Sequence, residues 1–272
     1  MARCFIPVGW QQAGHLALVG FALLATLATT RAGPATQAGM TAIPAGTYRP
    51  LIRSQDEPAE ISVAPFWLDI RPVTNAEYLA FVQAHPRWRR SQVSPLFADS
   101  GYLSDWAGDL ELGPSAPVGA PVVRVSWFAA RAYARAIDKR LPTIAEWERA
   151  AAAGFTQSEG AKEPGFPAQV LAWFTQPTPQ PLPAAGSGRP NYFGARDLLT
   201  LVWEWVDDFN TAMVTGESRG DSGLDRNLFC GAGAAGIRDP SDFAGFMRAG
   251  FRSSVRASYS VPNLGFRCAQ SP

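Results

Sequence analysis

Proline and glycine set the first limit on what this chain can build. Its 272 residues hold 23 prolines and 25 glycines. Proline removes an amide donor and glycine has more backbone entropy to lose, so each interrupts a helix or a ladder. Two stretches are dense in them. Residues 86–120 mix Pro and Gly with Trp and Asp without a clear period, and residues 154–190 mix them with Gln and Ser. The first is expected to be a long irregular excursion carrying a short helix and the second mostly loop, so the regular elements between them must be short. With 47% hydrophobic residues the chain still has enough apolar surface for a sizeable core.

The intervening segments carry recognisable signals. Ile43, Thr47 and Tyr48, then Ile61, Val63, Phe66, Leu68 and Ile70, read as short strands separated by a turn region. Thr74-Asn75-Ala76-Glu77 and Thr143-Ile144-Ala145-Glu146 are capping boxes, in which hydroxyl and carboxylate satisfy the free amides of a helix N-terminus. Tyr78, Phe81 and Val82 share one face of the first helix, and Trp147 and Ala150 carry the second to about Ala153. Val122, Val123 and Val125 predict a short strand, and Ser126 caps a helix from Trp127 to about Ile137. From Asn191 onward helical periods are few, and Leu264 to Gln270 reads as a closing strand. No internal repeat is evident. The fold class is α+β, with two or three helices, short strands and long loops.

Lys and Arg total 24 against 23 Asp and Glu, a net charge of +1, so nucleic acid is not an expected partner. At the N-terminus, Arg3 precedes the apolar run Leu16 to Ala28. That run is shorter than the roughly 20 residues of a membrane span and fits the core of a secretory signal. Residues 1–32 are thus expected to be a signal peptide cleaved near Ala32, 33–40 a linker and 41–272 the domain, exported and placed in the periplasm. No later run is long enough to span a bilayer. After cleavage one histidine, His85, and two cysteines, Cys230 and Cys268, remain. A Ser-His-Asp triad would have one possible base, and zinc too few soft ligands. His85 precedes Pro86 and reads as a helix exit. Cys230 and Cys268, in an oxidising compartment, fit a disulfide worth about 4 kcal/mol in the chain-entropy model. A metal or redox dithiol is the alternative.

Five blocks fall in order: IPAGTY (43–48), PVTNAEYLAFV (72–82), PVVRVSWFAARAYARAIDKRLPTIAEWERAA (121–151), VWEW (202–205) and NLGFRC (263–268). Together they resemble the formylglycine-generating enzyme, or sulfatase-modifying factor, family, from about Met40 to Ala269. The resemblance implies a compact α+β fold related to C-type lectins. It also implies an oxidase that converts a substrate cysteine to formylglycine with oxygen and a copper ion held by two cysteines. Carried over by position, those cysteines fall at Asp239 and Ala244, and neither is cysteine. Soft sulfur is what selects Cu(I), so neither copper nor that reaction is expected.

Asp197 to Glu204 resembles the family's calcium loop. The resemblance implies the carboxylates of Asp197 and Glu204 and the main-chain oxygens of Leu198, Thr200 and Val202 as ligands of a structural calcium ion. Thr200-Leu201 stands where the family has Gly-Asn. The alternative is a buried Trp-Glu-Trp strand whose Glu204 is neutralised by an arginine.

Arg238, Arg248, Arg252, Arg256 and Arg267 crowd the C-terminal segment with Asp239 and Asp242. A planar guanidinium suits carboxylate or phosphate, which makes Asp239, Arg248 and Arg252 the candidate catalytic or ligand-receiving region; structural ion pairs are the alternative. Trp88, Phe97, Tyr102 and Trp106, with Asp99, Asp105, Asp109 and Glu111, either wall a pocket or form a satellite core. WRRSQV, LSDWAGDLELGP, LVWEWVDDFN and FMRAGFRSSVRASY are similar to the NirV-like branch of the family, which implies an exported accessory role in copper-enzyme or respiratory-enzyme maturation. Three functions stay open: a maturation factor that binds a protein or peptide partner, an oxidoreductase with a non-standard site, and a non-catalytic ligand-binding module.

Overall fold

The structure, a computed structural model, describes residues 37–51, 58–210 and 240–272. Strands β1 (Met40–Ile43), β2 (Gly46–Tyr48), β3 (Ile61–Val63) and β4 (Phe66–Asp69) come first. In β4, Phe66 and Leu68 are buried while Trp67 and Asp69 are half-buried, the period-two pattern of a strand with one face on a core. β4 is the centre of an antiparallel sheet between β1 and the C-terminal strand, Ala269–Gln270, with Leu68 opposite both Thr41 and Ala269. β2 and β3 pair antiparallel by themselves. Strands β5 (Trp203–Trp205) and β6 (Leu264–Phe266) pair in parallel, Glu204 against Gly265. The tail read as one strand is therefore two, β6 and β7 (Ala269–Gln270), serving different sheets, with Arg267 at the crossing.

The helices are α1 (Asn75–Ala84), α2 (Trp127–Ala136), α3 (Ile144–Ala151), α4 (Phe166–Phe174) and α5 (Pro240–Ser254). Both capping boxes close as read. The Thr74 hydroxyl accepts from the Glu77 amide at 3.3 Å while the Glu77 carboxylate accepts from the Thr74 amide at 2.8 Å. Thr143 and Glu146 do the same at 3.2 and 2.8 Å. Each box carries a further lock, because Arg71 forks onto Glu77 at 2.9 and 3.0 Å and Arg140 onto Glu146 at 2.6 Å twice. The pattern Arg-x-x-Thr-x-Ala-Glu thus occurs twice, too short to register as a domain repeat. His85 ends α1 as expected, its Nδ1 3.0 Å from the Phe81 carbonyl.

Three further expectations need correction. Residues 122–125 are not a strand, because Arg124 sits at φ 56° and breaks the extended run; Val122 and Arg124 donate instead to Val73 and Val261. Helix α4 lies inside the stretch read as loop. Gly165 at φ 81° starts it and Pro167 occupies its first turn, where no amide partner is needed. Helix α5 was hidden by Gly245 and Gly250, whose low propensity masks an amphipathic face.

The core is aromatic. Tyr78 stacks on Tyr133 at 5.7 Å and meets Phe266 and Trp106 edge-on. The buried Tyr78 and Tyr102 hydroxyls lie 2.7 Å apart, and Tyr102 donates on to the Trp88 carbonyl. Trp88, Tyr102 and Trp106 of the long loop are buried. The three belong to the main core and form neither a pocket wall nor a separate satellite cluster, while Phe97 stays exposed. Its acids are structural: Asp105 pairs with Arg124, Asp99 accepts from the Gly101 and Ser260 amides, and Asp109 from Ser91.

Candidate functional site

Glu148, on the buried side of α3, is the anchor of the C-terminal segment. Its carboxylate receives Arg248 through Nε and Nη2 at 2.9 and 2.7 Å and Arg252 through Nη1 at 2.6 Å. The two arginines are four apart on α5, one helical turn, so both reach the same acid. Burial alone pushes the Glu148 carboxyl up, but Arg248 and Arg252 more than reverse it and hold it at about 2. The neighbouring Trp147 ring lies under both guanidiniums, 5.7 and 5.0 Å from their centres. Burial and the nearby Glu148 carboxylate push the Tyr48 phenol up to about 12.

Trp147 also joins a second, deeper pair. Its indole donates to Glu204 at 2.7 Å, and Arg267 grips the same carboxylate through Nε and Nη2, each at 2.8 Å. Both charged side chains are wholly buried. The remaining Arg267 hydrogens go to the carbonyls of Asp69, Ile70 and Arg196. Every guanidinium hydrogen has an acceptor, the condition for burying such a charge.

These two pairs floor a cleft of about 290 Å³ where α3, the end of α4 and α5 meet. Trp173, Phe174, Trp203 and Phe251 supply aromatic walls, with Pro177 and Pro179 at one side and Asn263 at another. Trp203 stacks on Phe251 at 4.4 Å and takes Phe174 edge-on at 5.6 Å. Arg248 and Arg252 line the cleft; Glu148 stands behind them. Such a volume is at the small end of ligand clefts, about 300–1,000 Å³.

Among the residues singled out from sequence, Arg248 and Arg252 do come together, as an ion-pair cluster facing the cleft. Asp239, Arg238 and Cys230 lie outside the described residues. Ala244 is buried against Phe166 and Val170 of α4, an apolar packing position. Cys268 is fully buried, with burial first and then the Asp69 carboxylate pushing its thiol well above the usual range. The implied calcium set is arranged otherwise. Asp197, at φ 62°, accepts from the amides of Gly186 and Gly188, and Glu204 is charge-matched by Arg267. Thr200 is exposed. With its charge matched by Arg267 and both oxygens occupied by donors, Glu204 does not fit as a calcium ligand in this arrangement. No group of three or more acidic, histidine or cysteine side chains gathers among the described residues.

Sequence reasoning missed Glu148, Trp173, Phe174, Phe251 and Asn263. The one available signal was Trp147-Glu148 directly after a capping box, which places an acid on the face that α3 buries.

Residues 26–272 match the sulfatase-modifying factor enzyme 1-like domain. The formylglycine-generating enzyme of Streptomyces coelicolor is 30% identical, over 77% of this chain and 79% of that protein. The inactive C-alpha-formylglycine-generating enzyme 2 of Bos taurus is 29% identical, over 82% and 83%. The serine/threonine-protein kinase pkn1 of Chlamydia caviae is 30% identical over 55% of this chain, which spans only 24% of the kinase's length. The chain belongs to the sulfatase-modifying factor enzyme 1-like family.

Proposed function

We propose that this family member is an exported accessory or maturation factor that holds a protein partner or peptide in the aromatic cleft. The observation that carries the reading is the cleft itself. Its walls are rings, prolines and amides suited to gripping an extended segment. Its charged residues are tied into pairs that fix its shape. Support also comes from Ala244, where the resemblance implies a copper-binding thiolate and the side chain instead packs on α4. A relative of similar length carries the name of an inactive enzyme.

The test is site-specific photo-crosslinking in an exporting host. A crosslinker at exposed Gln176, on the cleft, is expected to trap one discrete partner, while one at exposed Val118 traps none. Equal labelling at both positions would count against the cleft. A parallel assay incubates the protein with copper and a sulfatase-type cysteine peptide. No formylglycine is expected, and its formation would restore the oxidase reading.

A further inference from the structure

The two arginines at the cleft are not equally used. Arg248 spends Nε and Nη2 on Glu148, whereas Arg252 gives that acid Nη1 alone. Nε and Nη2 of Arg252 have no hydrogen-bond partner among the described residues, and neither is sealed from solvent as an unpartnered buried atom. Glu148 takes Arg252 at Oε1 through Nη1, and its two oxygens already accept four contacts from the two arginines. Asp208, also felt by Arg252, has Oδ1 bound to the Ile144 amide at the start of α3. Glu204, the acid among the lining residues, is neutralised from behind by Arg267. Arg252, held by Glu148 and lining the cleft together with the stacked Trp203 and Phe251, thus keeps a guanidinium edge with spare donors.

A guanidinium edge of this kind matches the two oxygens of a carboxylate. The adjoining rings favour an apolar or aromatic group next to it. We propose that the cleft recognises a carboxylate carried beside an aromatic or bulky apolar side chain. Such a group is offered by a peptide C-terminus or by an acidic residue following an aromatic one. The proposal rests on the cleft being the binding site put forward above.

The test is calorimetry at low salt on the full secreted chain with three probes. N-acetyl-phenylalanine carries a terminal carboxylate, N-acetyl-phenylalanine amide carries none, and N-acetyl-phenylalanyl-aspartate amide carries an internal one. The acid is expected to bind at least about tenfold more tightly than the amide, the scale of a hydrogen bond to a charged group. Whichever carboxylate probe binds better identifies the source. Arg252→Gln leaves Glu148 gripped by Arg248 and should erase the preference. Thr178→Asp, at the exposed rim, touches neither pair and should weaken the acid several-fold while sparing the amide. Equal binding of acid and amide would overturn the carboxylate proposal and leave the cleft standing. Absence of any binding would remove both, and a preference untouched by both substitutions would place recognition elsewhere and overturn it.

Discussion

The two ion-pair clusters beneath the cleft share one tryptophan yet differ in what they leave over. Arg267 and Glu204 form a closed unit in which every donor has an acceptor and neither side chain meets solvent. Arg248, Arg252 and Glu148 form an open one, with two guanidiniums on one acid and side chains still 10–13% exposed. The closed pair ties β5 to the chain between β6 and β7 and fixes the floor. The open pair ties α5 to α3 and keeps donors in hand at the surface. A closed network builds shape, and an open one can also recognise.

That contrast orders the expected effects of substitution. Arg267→Met should be the most damaging, because it strands Glu204 uncompensated in the interior at a cost of about 3–5 kcal/mol. Thermal denaturation should show a marginal fold or none. A Tm close to wild type would show that the closed pair is not structural. Glu148→Gln should cost less, about 2–3 kcal/mol, since its two arginines can turn partly toward water.

The same acid gives the open cluster a pH signature. Its folded pKa is depressed to about 2 from an ordinary 4.5. Its stabilisation is therefore fully present above about pH 4.5 and is lost as pH falls toward 2. Urea titrations across that window should show a falling midpoint in the wild type and a flatter one in Glu148→Gln. Parallel curves would assign the acid sensitivity to other groups.

Smaller effects belong to the periphery. Thr74→Ala and Thr143→Ala each remove one capping hydroxyl and should cost about 1 kcal/mol by denaturant midpoint. Calcium removal should do least. With Arg267 serving Glu204 and backbone amides serving Asp197, a chelator is expected to leave Tm unchanged. A fall of several degrees, reversed by calcium, would show that the 197–204 loop rearranges around an ion.

Much of the frame was legible because its signals are local. The capping boxes at Thr74 and Thr143 and the Ser126 cap each rest on residues within a few positions of one another. The five sequence blocks carried the family, later borne out over residues 26–272. What escaped depends on distance or on backbone exceptions. Arg124 in a left-handed conformation has no sequence marker that separates it from a strand residue. Helix α5 draws its stability from packing on α4 and from Glu148, about a hundred residues away, so propensity alone understates it. The arginine crowding was visible, but its acids were not, since Glu148 and Glu204 become neighbours of Arg248, Arg252 and Arg267 only through the fold.

The central claim is that the family scaffold here serves recognition without copper–thiolate oxidation. Elemental mass spectrometry on the full chain, purified from an exporting host without chelators, tests it most directly. The account predicts copper and iron far below one atom per chain. One copper per chain, retained through purification and lost together with cysteine-to-formylglycine conversion on chelation, would contradict it.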